Sequence, residues 1–306
     1  MEQKLVSIIT VNYNQPQVTE ALLQSIADHN TYRNIEIIVV DNASKTDPVP
    51  GWKLQYPDIT FIRSEENLGF AGGNNLGIKE AKGDYLFLVN NDTEFTPGLV
   101  ASMVNYMERN TRIGIASPKI CYYDQPETLQ YAGFTPMNYY TCRNACVGQY
   151  EQDKGQFDDR TGTTGYIHGA AMMVRHDVVE QAGMMAENYF LYYEEMDWCD
   201  RIKAKGYQAS VNMQALIYHK ESVSVGKKTV LKEYFMTRNR ILFIRKNTSP
   251  LTCFVFCCYF LAVVAPRNIF RYVVEKEYSF INAFFKGIWW NLTHRTHSND
   301  LGYRFN

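Results

Sequence analysis

The sequence predicts an α/β fold, an open and mostly parallel sheet covered by helices, with a helical extension after it. Three observations carry that reading. Residues 5–11 (LVSIITV), 35–40 (IEIIVV), 59–62 and 85–89 (YLFLV) are short β-branched or aromatic runs without polar alternation, the pattern of strands buried on both faces. Residues 17–29, 74–82 and 99–109 place apolar side chains at helical spacing between and after those runs, Val18, Leu22 and Ile26 being one such stripe. Beyond residue 219 the charge balance reverses: 17 Lys and Arg stand against 27 Asp and Glu over residues 1–219, and 14 against 5 over residues 220–306. The only boundary is therefore set near 220–235, giving domains of 1–235 and 236–306.

Composition narrows the function. With 46% hydrophobic and 21% charged residues, the 306-residue chain has neither a disordered nor a fibrous profile. A net charge of −1 gives no footprint for nucleic acid. Seven cysteines, an odd number without a CxxC pair, support neither a disulfide framework nor structural zinc, so a reduced cytosolic setting is expected. The first residues, MEQKLVSIITV, enter a strand directly and read as no export leader.

In open α/β sheets ligands bind at the carboxyl ends of the strands. Here those ends are Asn12-Tyr13-Asn14, Asp41-Asn42-Ala43-Ser44 and Asn90-Asn91-Asp92-Thr93, three amide or acidic clusters in succession. A Gly-rich stretch from Asn67 to Asn75 precedes the helix read at 74–82. Its spacing is not G-x-G-x-x-G and no strand leads straight into it, which argues against a dinucleotide oxidoreductase. Its small residues and amides at a helix start favour an anion. In the middle section, residues 165–174 (GYIHGAAMMV) read as a strand entering a tight site. Residues 189–201 (YFLYYEEMDWCDR) set an acidic trio after an aromatic run, and 209–219 read as a strand ending in His219. On a helix Asp197 and Arg201 fall at i,i+4 and form an ion pair.

Taken in order, VSIITVNYN, DNAS, NLGFAGGNN, NNDT, FLYYEEMDWCDR and YHKES resemble a family 2 inverting glycosyltransferase of the GT-A (Rossmann-like) fold, over about residues 5–246. Within that family they are most similar to the rhamnosyltransferase-like branch that builds O-antigen and related surface polysaccharides. The resemblance implies a nucleotide-diphospho-sugar transferase using Mg²⁺ or Mn²⁺. The family's Asp-x-Asp metal motif reads Asn90-Asn91-Asp92 here, so only Asp92 supplies a carboxylate, with His219 as second ligand. Asn12, Tyr13, Asp41, Asn67, Gly73 and Asn91 fall to the nucleotide, Tyr13 offering a stacking face and Asp41 an acceptor for a pyrimidine N3–H. Uracil and thymine share that donor, so the pair does not separate UDP from dTDP. Gly169, Ala170 and Glu194 are assigned to donor sugar or acceptor. Glu195, where the family carries an aspartate, becomes the catalytic base. The bland alternatives are a capped turn at NND, an Asx-turn at Asp41 and a charged helix start at 194–197.

The extension holds a 15-residue apolar heart, 251–265, about 22 Å long as a helix and short of a ~30 Å hydrocarbon core. Residues 280–292 carry the aromatic content of an interfacial helix, with Trp289 and Trp290 as reporters. Membrane-surface association is preferred over a packed or dimer-forming hairpin, and a chain cut near Asn247 should stay soluble unless the tail completes the core. With the tail placed at a membrane, the resemblance implies an inverting glycosyltransferase on a cytoplasmic membrane face, moving rhamnose from dTDP-rhamnose to a glycan or polyprenyl-diphosphate-linked acceptor. The alternatives are a UDP-hexose or UDP-galactofuranose transferase, or a catalytically silent nucleotide-sugar-binding relative.

Overall fold

A computed structural model describes residues 3–220 and 229–303. The first half alternates as the apolar runs predict: β1 (Val6–Asn12), α1 (Pro16–His29), β2 (Ile35–Asp41), α2 (Val49–Gln55), β3 (Thr60–Arg63), α3 (Gly69–Glu80) and β4 (Tyr85–Val89). Then follow β5 (Thr93–Phe95), α4 (Leu99–Arg109), β6 (Ile113–Tyr122), β7 (Gln125–Tyr131), β8 (Gly162–Thr163), β9 (Ala171–Arg175), α5 (His176–Ala182), α6 (Glu194–Ala204) and β10 (Gln208–His219). The strands form one sheet in the order β3-β2-β1-β4-β9-β6-β10-β5, with β7 beside β6 and β8 beside β10. The first four are parallel, and β9 runs antiparallel between β4 and β6.

Strand side chains alternate between two cores. Ile8, Phe87 and Val89 pack on the face carrying Leu22, Ile26 and Met103 of α1 and α4. Ile9, Leu86 and Leu88 pack on the other, with Ile78 of α3 and Trp198 of α6. The chain reverses its strand order at β1, which has β2 on one side and β4 on the other, so their carboxyl ends open on one crevice.

Two local expectations change. The Gly-rich stretch is the helix itself, α3 beginning at Gly69 rather than near residue 74. Glycine lets it lie directly on β1: a Cβ on Gly77 would stand 2.4 Å from Ile9 Cγ2, and one on Gly73 would stand 2.9 Å from Val11 Cγ1. The strand expected over 165–174 starts only at Ala171, leaving 165–170 as the loop into the crevice.

The extension comprises α7 (Val230–Asn247), α8 (Pro250–Tyr259), α9 (Ala265–Val274) and α10 (Tyr278–Thr293). The boundary set between 235 and 236 falls inside α7, and no seam separates the tail. Leu242, Phe243, Phe256, Phe260, Tyr272, Phe284 and Trp290 belong to the same core as Ile9 and Trp198. The apolar heart also runs further than 15 residues. A π turn at Phe260–Val264 joins α8 and α9 into one helix, Pro250–Val274, of 25 residues, with an 18-residue stretch of mean hydropathy 1.8. The widened turn accommodates Pro266, which cannot donate to the carbonyl four residues back. About 37 Å long at 1.5 Å per residue, the helix has the length and apolarity to cross a membrane.

Burying Phe280, Phe284 and Trp290 on α10 is worth about 5–9 kcal/mol together, comparable with the whole stability of a domain. A chain ending at Asn247 is therefore expected to lose cooperative thermal unfolding, not to gain solubility. Calorimetry of the truncated chain checks this, and a sharp transition near that of the full chain would show the tail to be dispensable.

Candidate active site

Three strand ends are joined by one buried hydrogen-bond chain. Asn91 Nδ2 donates to Thr19 Oγ1 (3.1 Å), Thr19 Oγ1 to Asn12 Oδ1 (3.0 Å), and Asn12 Nδ2 to Asp41 Oδ1 (2.7 Å) and Ser44 Oγ (3.0 Å). Asp41 is fully buried, and its other oxygen accepts from Arg63 Nη1 (2.5 Å) and the Ser44 amide (3.2 Å). Asn12, Asn91 and Gly73 thus shape the crevice from inside rather than line it. Arg63, at the end of β3, covers that oxygen of the Asp41 carboxylate. Tyr13 stands outward beside it, 40% exposed, on a turn where Asn14 takes φ 57° and its amide bonds Ser44 Oγ.

The amides expected to meet an anion at the start of α3 already have partners. Leu68 N–H donates to Asn42 Oδ1, Gly69 N–H to Asn67 Oδ1 and Phe70 N–H to the Phe190 carbonyl. Asn67 therefore forms a side-chain turn leading into this helix. Gly69 sits at φ +69° with Phe190 O only 2.3 Å from where a Cβ would be, so α3 fits against the loop before α6 only with glycine there.

Asp92 and His219 come together. Both are buried, and Asp92 Oδ1 stands 3.1 Å from His219 Nε2 without either atom making a hydrogen bond. His219 Nδ1 lies 2.8 Å from Gln130 Oε1, and an amide oxygen can only accept, so Nδ1 carries the hydrogen. In the neutral ring this leaves an Nε2 lone pair facing a carboxylate oxygen. That contact is repulsive unless a positive charge lies between, either a second proton or a metal cation. An oxygen and an imidazole nitrogen with a fixed tautomer suit Mn²⁺ or Mg²⁺, the remaining positions falling to substrate phosphate and water. Among the described residues, no group of three or more His, Cys, Asp or Glu is assembled for a metal. Of the YHKES motif, Glu221 and Ser222 lie outside the described residues.

The loop 168–170 connects this pair to the acidic helix. His168 stands edge-on to His219 at 6.0 Å, accepts from the Ala170 amide through Nδ1, and is pushed by burial and by His219 down to about 3. The Ala170 carbonyl accepts from Asn90 N–H, and a Cβ on Gly169 would lie 4.0 Å from Glu195 Cγ. Gly169 therefore brings Glu195 beside the crevice.

On α6 the carboxylates divide. Asp197, completely buried, accepts from Arg201 Nε (2.9 Å, the expected i,i+4 pair), Lys246 Nζ (3.1 Å), Asn247 Nδ2 (3.0 Å) and Tyr189 OH (3.1 Å). Burial alone would raise it, but Lys246 and Arg201 outweigh burial and hold it below the usual carboxylate range. Glu194 and Glu195 have no such cations, and burial pushes both carboxyls up, Glu194 also through its neighbour Glu195.

The segment feeding α6 is strained. Phe190, Tyr192 and Tyr193 take φ of 67°, 69° and 75°, each costing on the order of 1–3 kcal/mol. Asn239, buried on α7, holds them: its Nδ2 lies 2.8, 2.6 and 2.9 Å from the carbonyls of Tyr189, Leu191 and Tyr192. Arg238 Nη2 donates to Asn188 O (2.6 Å) and its guanidinium lies 4.1 Å over Trp290. Gln130, His168, Arg63 and Asn239 carry no signal in sequence because none belongs to the three polar clusters that follow β1, β2 and β4.

The sequence profile of Glycosyl transferase family 2 matches residues 7–183, more than half of the chain. The chain belongs to that family. Its similarities fall in the rhamnosyltransferase-like branch. It is 26% identical over 245 residues to the low-salt glycan biosynthesis hexosyltransferase Agl10 of Haloferax volcanii, covering 77% of this chain and 74% of that one. It is 24% identical over 241 residues to the N-acetylglucosaminyl-diphospho-decaprenol L-rhamnosyltransferase of Mycobacterium tuberculosis, covering 72% and 77%. The GT-A fold is shared with the mannosyltransferase PcManGT of Pyrobaculum calidifontis, solved with GDP-Man and Mn²⁺, at TM-score 0.59 and 16% identity over 94% of this chain and 88% of that one.

Replacing Asn239 with alanine removes the donor from the Leu191 and Tyr192 carbonyls on a strained loop, while the Tyr189 carbonyl keeps the Leu191 amide. The unfolding free energy is expected to fall by about 2–4 kcal/mol in urea titration. A loss under about 0.5 kcal/mol would mean the loop holds its own conformation.

Proposed function

We propose that this glycosyltransferase is inverting and uses a divalent cation. It moves a sugar from a nucleoside diphosphate, dTDP-rhamnose or a UDP-hexose, to a glycan on a lipid diphosphate at the inner face of the cytoplasmic membrane. The observation that carries this is the Asp92–His219 pair, two buried unpartnered atoms facing one another beside the loop that meets Glu195. When bound, the cation stabilises the charge that develops on the departing diphosphate. Tyr13 stacks on the base, and Asp41, once Arg63 shifts, accepts the pyrimidine N3–H while Asn12 keeps it oriented. Glu195 removes the proton from the acceptor hydroxyl as that oxygen attacks the anomeric carbon opposite the diphosphate. A carboxyl raised by burial is the better base for this, so turnover should rise with pH through an inflection above the ordinary glutamate range. The decaprenyl-diphosphate acceptor in the mycobacterial relative's name supports the acceptor class.

Two variants separate the roles. Asp92→Ala is expected to abolish Mn²⁺-dependent binding of UDP or dTDP in calorimetry. Glu195→Gln is expected to keep that binding and lower turnover by roughly 10²–10⁴. Metal-dependent binding that survives in the Asp92 variant would refute the cation site, and full turnover in the Glu195 variant would refute the base.

The membrane reading rests on the outer face of the tail. Leu251, Phe254, Leu261, Phe270, Trp289 and Leu292 are each more than 60% exposed, in a segment rich in Lys and Arg. Trp290 is buried against Arg238, so of the two expected reporters only Trp289 faces outward. The full chain should co-sediment with anionic vesicles, less so as salt rises, with a blue shift in emission that Trp289→Phe removes. Indifference to such vesicles would leave that face without a membrane role.

A further inference from the structure

Between α7, the π turn and α9 lies a cavity of about 520 Å³ that none of the strand-end motifs enters. Its wall carries four cations, Lys232 and Arg240 from α7 and Arg267 and Arg271 from α9, against two carboxylates, Glu233 and Glu275. None of the four forms an ion pair with a carboxylate of the described residues. Glu233 accepts from Thr237 Oγ1 (3.1 Å). Arg267 reaches only Asn268 Oδ1 (3.2 Å) and Arg271 the Tyr272 hydroxyl (3.2 Å), while Lys232 lies over the Tyr192 ring at 5.8 Å. Arg240 spends Nη2 on the Thr141 carbonyl (2.5 Å), and its Nε is buried with no hydrogen-bond partner. Guanidinium groups around a cavity without a carboxylate partner among the described residues, one with a buried spare donor, match an oxyanion of more than one charge.

Two further placements select the anion. Tyr193 lines the cavity and immediately precedes Glu194 and Glu195, so one wall of the cavity adjoins the start of α6. Phe270, 72% exposed, lies between Arg267 and Arg271 in sequence on α9, and Leu261 of the π turn is 62% exposed, so apolar surface borders the cationic wall. A ligand with a sugar at one end, a diphosphate in the middle and an isoprenoid at the other would meet Glu195, the four cations and the apolar face in that order. We infer that this cavity binds the diphosphate of a prenyl-diphosphate-linked acceptor, separately from the donor's diphosphate at the strand ends. The inference rests on the acceptor class proposed above.

The test titrates the full chain, in detergent micelles, with farnesyl diphosphate, farnesol, and UDP or dTDP with Mn²⁺. It does so for the wild type, for R267Q/R271Q and for the charge-keeping R267K/R271K. Both arginines are exposed, so overlaying melting curves should confirm an intact fold. Farnesyl diphosphate should bind the wild type more tightly than farnesol and lose roughly 10–100-fold in the glutamine variant, with most of the affinity kept by the lysine variant. Nucleotide affinity should stay the same in all three. Equal farnesyl diphosphate affinity in wild type and glutamine variant would overturn the inference. So would a matching loss of nucleotide affinity, which would give the cavity to the donor. If farnesyl diphosphate responds as stated while neither nucleotide binds the wild type, the cavity stands and the donor reading falls.

Discussion

The position of α6 and its two glutamates depends on one side-chain amide. Phe190, Tyr192 and Tyr193 all hold backbone conformations that side chains disfavour, and together they aim the start of α6 at the crevice. Such strain persists only where the surroundings over-determine it. Here the Asn239 amide gathers three carbonyls, Arg238 holds a fourth, and Asn75 of α3 grips the Met185 carbonyl and amide from the opposite side. Arg238 is itself seated on Trp290, and Asn291 donates to its carbonyl. The tail therefore forms the layer behind the loop that feeds α6, with Trp290 and Asn291 of α10 both meeting Arg238.

The same arrangement explains why neighbouring carboxylates on α6 differ. Asp197 faces inward to Lys246 and Arg201 and is held ionised, fixing α6 to the end of α7. Two residues earlier, Glu195 turns to Gly169 and meets burial without a cation. An acidic cluster that looks uniform in sequence is thus divided by helix geometry into an anchor and a group whose proton affinity is raised.

The first four strands could be read in the sequence because burial on both faces demands continuous apolar runs, a local signal. The strand-end motifs could be read because polar residues abruptly replace those runs. The Asp197–Arg201 pair followed from helical spacing alone. Gln130 could not be found this way. It lies 89 residues from His219, and only the pairing of β6 with both β7 and β10 brings them together. The boundary near 235 was misplaced because charge composition describes the surface of the tail, whereas Leu242, Phe256 and Trp290 on its inner side join the main core. The Gly-rich stretch is ambiguous in sequence because glycine serves both close approach to an anion and helix packing. Ile9 and Val11 decide for packing.

Asn90 in place of an acid changes how a cation would be held. The strand end therefore offers one carboxylate, Asp92, and one imidazole, His219. Their combined charge of −1 binds a divalent ion weakly by itself, since hard cations draw their affinity mainly from anionic oxygens. Under the proposed reading a nucleoside diphosphate supplies the missing negative charge, making cation and donor binding mutually dependent. The Gln130–His219 bond then has a definite part. By keeping the proton on Nδ1, it preserves the Nε2 lone pair for the moment the charged pair arrives.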